Sequence, residues 1–308
     1  MSADWLIPAM LTIITAATPL VFAAVGEAVV EKAGVLNLGV EGMMIMGAIA
    51  AFATAVTTGS ELLAILAGAS AGLVLALIFG ILTVYLQSNQ VATGLALTIF
   101  GLGLSALIGH SYVGKTFVGL ARLDIPGVSD IPVIGPLIFG HDSLVYLSVF
   151  SVALVAWFMN KTRVGLLVRA VGENHDAAHS IGYSVTLVRM GAILFGGAMA
   201  GVGGAYLSVA YTPLWVENMT AGRGWIALAL VVFASWKPWR AFFGAYLFGG
   251  ITIIQLYAQG MGVDVSAQFL SMLPYLATIL VLVVISRDSV KARLNAPACL
   301  GKNFHVSC

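Results

Sequence analysis

One octapeptide of the chain matches a nucleotide-binding motif letter for letter. Residues 109–116 read GHSYVGKT, which satisfies the phosphate-loop pattern G-x-x-x-x-G-K-S/T. A working phosphate loop follows a strand and opens a helix in an α/β domain, so that backbone N–H groups and the lysine surround the phosphates. Here a long apolar segment precedes the match, and a segment rich in Gly and Pro follows it. We therefore predict that these residues bind no nucleotide.

A second pattern suggests metal chemistry. His175 and His179 are four residues apart, which would place both imidazoles on one helix face, as in the zinc-binding sequence H-E-x-x-H. Residue 176 is Asp rather than the Glu that acts as general base in that motif, and no third ligand lies nearby in the sequence. The pair is better interpreted as part of a polar helix surface, and we predict no metal site.

The amino-acid composition indicates the class of protein and the kind of secondary structure to which these residues belong. Hydrophobic residues make up 60% of the 308 residues, charged residues only 9%, and the mean hydropathy is +1.02. Since a soluble domain carries about a quarter charged residues, we predict an all-α, polytopic membrane protein. The net charge of +1 without a basic block excludes a nucleic-acid partner. Cys299 and Cys308 both lie in the last ten residues, which excludes a disulfide framework.

The apolar runs predict about nine membrane helices, with eight to ten as the range, because a span needs about 20 apolar residues. The first run follows Asp4 rather than a positive segment, so we interpret it as a retained helix and not a signal peptide. The seventh run is short, which favours a broken or re-entrant element. The runs cover residues 6–24, 40–58, 62–86, 91–109, 144–159, 188–209, 223–235, 241–258 and 268–285.

The distribution of Lys and Arg predicts an external N-terminus and a cytoplasmic C-terminus. With that topology eleven of the fourteen basic residues are cytoplasmic, and only Lys115, Arg122 and Arg223 are external. The cytoplasmic set is Lys32, Lys161, Arg163, Arg169, Arg189, Lys237, Arg240, Arg287, Lys291, Arg293 and Lys302.

Three connections are too long to be simple turns: Gly26 to Gly42, 110–143, and Asn160 to Leu187. The last, which we call the coupling loop, has its own helical signal. Asn174 is a suitable N-cap and Gly182 suits the left-handed residue that ends a helix, so a two-turn helix is predicted between them. Isolated helices of that length are marginal in water, and we expect this one to dock on another surface.

Polar residues within apolar segments mark a candidate pathway, since such residues are costly in a membrane and usually face a cavity. The Gly-interrupted segment 35–42 carries Asn37 and Glu41, and the segment 220–225 opens the short seventh helix from the opposite direction. Two such elements would fit an inverted repeat. A helix cap or an interhelical hydrogen bond remains the alternative for each polar residue, and we expect Glu27 and Glu31 at the inner surface. The candidate pathway residues are Asn37, Glu41, Asn89, Thr93, Thr98, Phe100 and Trp225.

Small residues recur at a spacing of four, as at Gly68 and Gly72 and at Gly197 and Gly201. This spacing lets membrane helices approach closely. We therefore interpret most of the 35 glycines as packing positions rather than as parts of a site.

Three separated stretches resemble the permease subunits of bacterial ABC importers. They are EKAGVLNLGVEGMMIMGA at 31–48, LLVRAVGENHDAAHSIGYSV at 166–185 and TAGRGWIALALVVFASWKP at 220–238. The chain resembles the branch of branched-chain amino acid, ribose-type sugar and nucleoside permeases, and within it the simple-sugar or purine-nucleoside permeases. The similarity runs from about residue 6 to 290. His175 departs from it, because many relatives have proline there, and so does the tail after Arg293.

The resemblance implies that the membrane path and the ATP site belong to different subunits. One transmembrane permease domain, residues 1–293, would carry no cofactor, and separate cytoplasmic ABC ATPase subunits would bind ATP and Mg. The coupling helix would sit in a groove of an ATPase subunit, an extracytoplasmic binding protein would deliver the solute, and a second, non-identical permease would complete a heterodimer. Residues 294–308 are expected to be a disordered tail. The expected ATPase contacts are Arg169, Glu173, Asn174, Ala177, Ala178 and Gly182.

The function that follows is non-catalytic: the chain would move a nucleoside across the bacterial cytoplasmic (inner) membrane by alternating access. The same machinery importing a simple sugar such as ribose is the alternative. An ion-coupled secondary transporter is less favoured, because the predicted spans hold no central carboxylate other than Glu41. An intramembrane hydrolase would need a nucleophile and a base at membrane depth, and the spans show no such arrangement.

Overall fold

A computed structural model of the chain describes residues 6–121, 123, 134–260 and 295–305, with isolated positions between 266 and 283. A π-helical segment at Ile81–Tyr85 prolongs α3, another at Leu207–Tyr211 prolongs α9, and a short 3-10 turn at His110–Tyr112 prolongs α4. The helices are α1 (Leu6–Lys32), α2 (Val40–Thr58), α3 (Glu61–Gly80), α4 (Gln90–Gly109), α5 (Ile134–Phe139), α6 (Ser143–Lys161), α7 (Arg163–Glu173), α8 (His175–Ser180), α9 (Val185–Tyr206), α10 (Arg223–Phe233) and α11 (Pro238–Gly260).

Seven helices in the described part of the chain are long and apolar enough to cross a membrane: α1, α2, α3, α4, α6, α9 and α11. The predicted all-α, polytopic class is confirmed. The seventh predicted span is the 11-residue helix α10, which at about 16 Å reaches only halfway across a core of about 30 Å. The predicted span at 268–285 lies largely outside the described residues.

Helix α1 is longer than predicted, because it continues through Gly26 and ends at Lys32. Gly26 stays helical since its missing side chain lets α9 pack against it: a Cβ there would collide with Met199 and Gly196. Glu27 and Glu31 therefore lie inside the last two turns of α1, each only 1% exposed, and Glu31 accepts from the indole of Trp236 in the connection between α10 and α11. Both carboxylates are thus close to the end of the helix and not at its centre.

The connections between the helices lie at two opposite ends of the bundle, and their contacts with one another show which connections share an end. At one end, which we call the tail end, residues 33–35, 86–89, α7, α8, 234–237 and 295–305 lie together. At the opposite end, 110–121 contacts Pro213 and Leu214, and Leu123 bonds His141. Among the described basic residues, Lys115 belongs to the opposite end, and the tail end carries Lys32, Lys161, Arg163, Arg169, Arg189, Lys237, Arg240 and Lys302.

Glycines hold the centre of the bundle together, as the spacing of four predicts. Helices α3 and α9 cross where Gly68 and Gly72 face Gly197 and Gly201, and α2 joins the crossing at Gly47. A Cβ on Gly201 would collide with the carbonyl oxygen of Gly68. Since lipid tails are as apolar as the helix surfaces, this close backbone approach, rather than a hydrophobic driving force, provides the attraction between helices.

The tail differs from the expected disordered end. Residues 295–305 pack across the tail end, where the Lys32 ammonium donates to the carbonyl of Asn295 at 2.6 Å and the Cys299 amide donates to the carbonyl of Gly172 at 2.9 Å. The sequence misses this because the tail is too short to show an apolar pattern of its own, and the hydrogen bonds and apolar contacts that hold it are to residues far away in the chain.

The glycine crossing makes a prediction about stability. Gly201→Ala should lower the thermal unfolding midpoint of the detergent-solubilised protein, because overpacking against the Gly68 carbonyl costs about 1–3 kcal/mol. Gly191→Ala, on the same helix, is the matched control, since a Cβ there meets nothing within 4 Å. Equal midpoints for the two variants would contradict the packing argument.

Candidate functional site

The centre of the candidate site is a carboxylate that joins the starts of two helices. Glu41 lies in the first turn of α2 and is 2% exposed. Its Oε1 accepts from the Thr220 hydroxyl at 2.5 Å and from the Gly222 amide at 2.8 Å, and its Oε2 accepts from the Gly224 amide at 2.6 Å. Charge-assisted hydrogen bonds of this kind are about twice as strong as neutral ones. They fix the first turn of α10 against the first turn of α2.

These helix starts lie deep in the bundle rather than at its end. The carbonyl of Leu38 accepts from the hydroxyl of Thr98 at 3.0 Å, and Thr98 lies eight residues, or about 12 Å, beyond the start of α4. Gly94 and Gly101 of α4 allow this approach, because a Cβ on either would collide with the backbone of segment 38–42. From this depth α2 runs toward the opposite end and α10 toward the tail end, as predicted for two inverted elements.

The segment that leads into α10 has unusual backbone geometry. Asn218 and Ala221 have φ values of 57° and 47°, and Gly222 follows with φ 83°. Left-handed residues other than glycine cost of order 1 kcal/mol each and persist only where the surroundings fix them. Here the α10 amide groups, which form the positive end of the helix dipole, bond to the carboxylate of Glu41. That bonding holds the strained turn in place.

A groove of about 570 Å³ opens beside this junction. Trp225 is 47% exposed and presents its indole there. The carboxylate of Glu41 is the charged group of the described lining, and three neutral donors hydrogen-bond it. The described lining residues are Glu41, Leu102, Asn218, Ala221, Gly222, Trp225, Ile226 and Ala229.

The predicted pathway residues are only partly brought together. Glu41 and Trp225 line the groove, and Thr98 bonds the segment beside it. Asn37 is buried, and its side-chain oxygen accepts from the amide of Gly39 at 3.0 Å, so it shapes the backbone ahead of α2. No sequence pattern pointed to Asn218 or Leu102, because their place in the lining depends on how α4 and α10 meet.

Three predicted pathway residues lie elsewhere. Asn89 caps α4 by accepting from the amide of Ala92, and the hydroxyl of Thr93 bonds Ser88, so both belong to the tail end. Phe100 is 51% exposed and is not among the lining residues that the structure describes. Polarity in an apolar run pointed to Asn89 and Thr93, and for both the alternative, a cap or a local hydrogen bond, applies; Phe100 was instead a candidate because of its aromatic ring.

The coupling loop folds into α7 and α8. Asn174 caps α8 as predicted, with its side chain accepting from the Ala177 amide at 3.0 Å, and Gly182 has the left-handed φ of 92°. Glu173 and Ala177 are exposed and Arg169 is half-buried. Ala178 is buried at 3% exposure against Val171 and Val185, so it faces the protein rather than a docking partner. The resemblance implied an ATPase contact at Ala178, but the contacts that its side chain makes are internal.

The two histidines of the coupling loop differ in their surroundings. His175 is buried, and its Nδ1 accepts from the guanidinium of Arg189 at 3.1 Å. The ring of Phe304 lies 5.3 Å from each imidazole centroid, between His175 and His179. Burial lowers the pKa of His175, and the positive charge of Arg189 lowers it further, while Asp176 acts in the opposite direction.

The GHSYVGKT segment folds unlike a phosphate loop. Its first residue ends α4, and Thr116 forms a β-bridge with Leu214. The ammonium of Lys115 lies 4.7 Å from the ring centroid of Tyr112. Residues 117–121 contain no helix, so Lys115 and Thr116 do not open a helix as they would in a phosphate loop.

The junction at Glu41 leads to the second prediction. Glu41→Gln should lower the free energy of unfolding by about 1.5–3 kcal/mol, because the amide group must turn a donor toward either the Gly224 or the Gly222 amide. The measurement is thermal unfolding in detergent, with Glu217→Gln as the control, since Glu217 is exposed. A stable Glu41→Gln variant would mean that the junction does not need the charge.

The buried imidazole leads to the third prediction. The pKa of His175 in the folded chain is below the unfolded value of about 6.5, so on acidification the unfolded chain takes up the proton first. Stability should therefore be constant at higher pH and should fall below about pH 6.5 until the folded pKa is reached. His175→Asn keeps an acceptor for Arg189 and should remove this component from melting curves recorded between pH 8 and 5. Parallel wild-type and variant curves would contradict the assignment.

Comparison with known proteins agrees with this geometry. Residues 9–285 match the family described as branched-chain amino acid transport system / permease component. The chain is 38% identical to the "Putative glucose ABC transporter permease protein" of Haloferax volcanii over 95% of each chain. It is 31% identical to the nucleoside ABC transporter permease protein of Lactococcus lactis over 93% of each chain.

It is also 31% identical to the guanosine ABC transporter permease protein of Bacillus subtilis, over 86% of this chain and 88% of the relative. In each of these three organisms a second ABC transporter permease matches as well, at 26–30% identity. The protein therefore belongs to the branched-chain amino acid transport system / permease component family and is a multi-pass ABC transporter permease.

Proposed function

We propose that this permease imports a nucleoside by alternating access, and that the groove beside Glu41 is half of the solute path. The observation that carries the proposal is a half-open groove with an exposed indole, whose one described carboxylate is hydrogen-bonded within the protein. The Glu41 carboxylate is fully bonded, and the guanidinium of Arg223, outside the lining, donates to the carbonyls of Met219 and Thr220. A path whose described charged groups are already hydrogen-bonded within the protein suits an uncharged solute better than an amino acid.

The indole of Trp225 offers a flat apolar face on which a nucleobase could stack, and Asn218 offers hydrogen-bonding groups for a ribose. A sugar is the second candidate, because aromatic faces also bind sugar rings and the relative with 38% identity carries glucose in its name. Both solutes would use the same path.

The chain itself performs no covalent chemistry in this proposal. ABC ATPase subunits bind ATP and Mg and hydrolyse the ATP, and α8 with the exposed Glu173 and Ala177 is the surface they push. A substrate-binding protein delivers the solute at the opposite end. A second, non-identical permease closes the open side of the groove, and the presence of a second ABC transporter permease in each of the three organisms named above supports this.

The tail end is cytoplasmic in this proposal, and the protein lies in the cytoplasmic membrane. Eight described basic residues at the tail end against Lys115 at the other support that orientation under the positive-inside rule. The N-terminus is then external and the C-terminus cytoplasmic.

Uptake of radiolabelled guanosine, adenosine, uridine, ribose and glucose tests this function. The chain is expressed with its ATPase subunits, second permease and binding protein, and then with each component omitted in turn. We expect nucleoside uptake that requires every component. Component-dependent uptake of a sugar alone would support the second candidate, and uptake by this chain alone under an ion gradient would contradict both.

The coupling role makes a fourth prediction. Ala177→Arg should abolish uptake while the protein still reaches the membrane, because a large side chain on the exposed face of α8 blocks docking into a groove. Ala177→Ser keeps the residue small and should retain uptake. Ala178 is unsuitable for this test, since an arginine there would disturb folding. Full uptake by Ala177→Arg would exclude α8 as the contact.

A further inference from the structure

The ordered tail connects the coupling loop to the connection between α1 and α2. The Cys299 amide donates to the carbonyl of Gly172 at 2.9 Å, and its thiol lies 3.5 Å from the carbonyl of Glu173. Two residues later, the Gly301 amide donates to the carbonyl of Gly34 at 3.2 Å. A short piece of backbone thus spans from the end of α7 to the start of the segment that leads to Glu41.

Arg189 reinforces this connection from α9. Its Nε donates to the carbonyl of Ala33 at 3.3 Å, one terminal nitrogen to the carbonyl of Lys302 at 2.9 Å, and the other to His175 Nδ1 at 3.1 Å. The side chain is 2% exposed. One guanidinium is therefore hydrogen-bonded to the α1–α2 connection, to the tail and to α8 at the same time.

The aromatic ring of the tail supports the inner face of α8. Phe304 packs between His175 and His179, one helical turn apart, and against the buried cluster of Val171, Ala178 and Val185. A displacement of α8 by an ATPase subunit would press on this ring before it reached the membrane helices.

The side-chain amide of Asn303, next to Phe304, connects the tail to Gln87 and Gln90. Asn303 Nδ2 donates to the carbonyl of Gln87 at 2.6 Å, and Asn303 Oδ1 accepts from Gln90 Nε2 at 3.2 Å. Gln90 Oε1 in turn accepts from the amide of Leu36 at 2.8 Å. Leu36 precedes Asn37, so two side-chain amides connect the tail to the backbone that shapes the groove.

We infer that residues 299–304 form a strap that transmits movement of α8 to the segment 36–41, with Asn303, Phe304 and Gln90 as positioning residues. This inference rests on the proposed coupling role of α8. Chains of packed side chains and hydrogen bonds that have two arrangements can carry energetic coupling between distant sites. The path from α8 through Phe304, Asn303 and Gln90 to Leu36 is such a set.

The test compares solute uptake per ATP hydrolysed by the complete complex in proteoliposomes. Phe304→Ala and Asn303→Asp, which removes the donor to Gln87, should keep ATP hydrolysis but lower this ratio about fivefold or more. Phe304→Tyr keeps the ring and should restore the ratio. Lys302→Ala is the control, because the Lys302 side chain is exposed and its backbone carbonyl still accepts from Arg189. An unchanged ratio in Phe304→Ala and Asn303→Asp, or uptake and hydrolysis that fall together, would overturn the inference.

A thiol measurement tests the strap without transport. In a Cys308→Ser background Cys299 is the remaining cysteine and is buried, so a maleimide should label it slowly in the wild type and several-fold faster in Phe304→Ala. Fast labelling in the wild type would mean that the tail is not docked, and the inference would fail. Slow labelling together with no ATP-dependent uptake of any tested solute would instead contradict the proposed function.

Discussion

The arrangement of the site depends on one buried carboxylate. Glu41 replaces the hydration of its charge with the Thr220 hydroxyl and two amide groups at the start of α10. In a membrane protein a charge without such partners would be very costly, and the free amide groups of a half-helix would be costly as well. The carboxylate and the amide groups therefore satisfy each other's need for hydrogen-bonding partners. The result is a fixed junction where two helices that run in opposite directions begin deep inside the bundle, and the groove forms beside it.

That junction needs a scaffold in which backbones lie almost in contact. The crossing of α3 and α9 and the approach of α4 to segment 38–42 both use glycine, because a single Cβ would separate the elements. Close packing of this type makes the bundle stiff, so a conformational change must occur between packed units rather than within them. The strained turn at Asn218 and Ala221 and the contacts at the tail end are the places where such units meet.

The charged side chains at the groove are engaged by neighbouring groups. The carboxylate of Glu41 and the guanidinium of Arg223 both form hydrogen bonds, and the described lining presents the indole of Trp225 and the side chain of Asn218 beside them. At the tail end the polar groups are instead arranged in chains that join distant elements, with Arg189 bonded to three of them. In the proposed function, binding and transmission thus lie in different parts of one fold, connected through the segment before α2.

The sequence by itself determined the membrane class, most spans, the short seventh helix and the cap at Asn174, because apolar length and capping are local properties. It also pointed to Glu41 and to segment 220–225, since polar residues among glycines are conspicuous in an apolar chain. Only the tertiary structure decided that these two bond each other, that α1 continues through Gly26, that Asn89 is a cap, and that the tail is docked. Each of these depends on partners far away in the chain, and local pattern carries no information on which distant backbone will come within hydrogen-bonding distance.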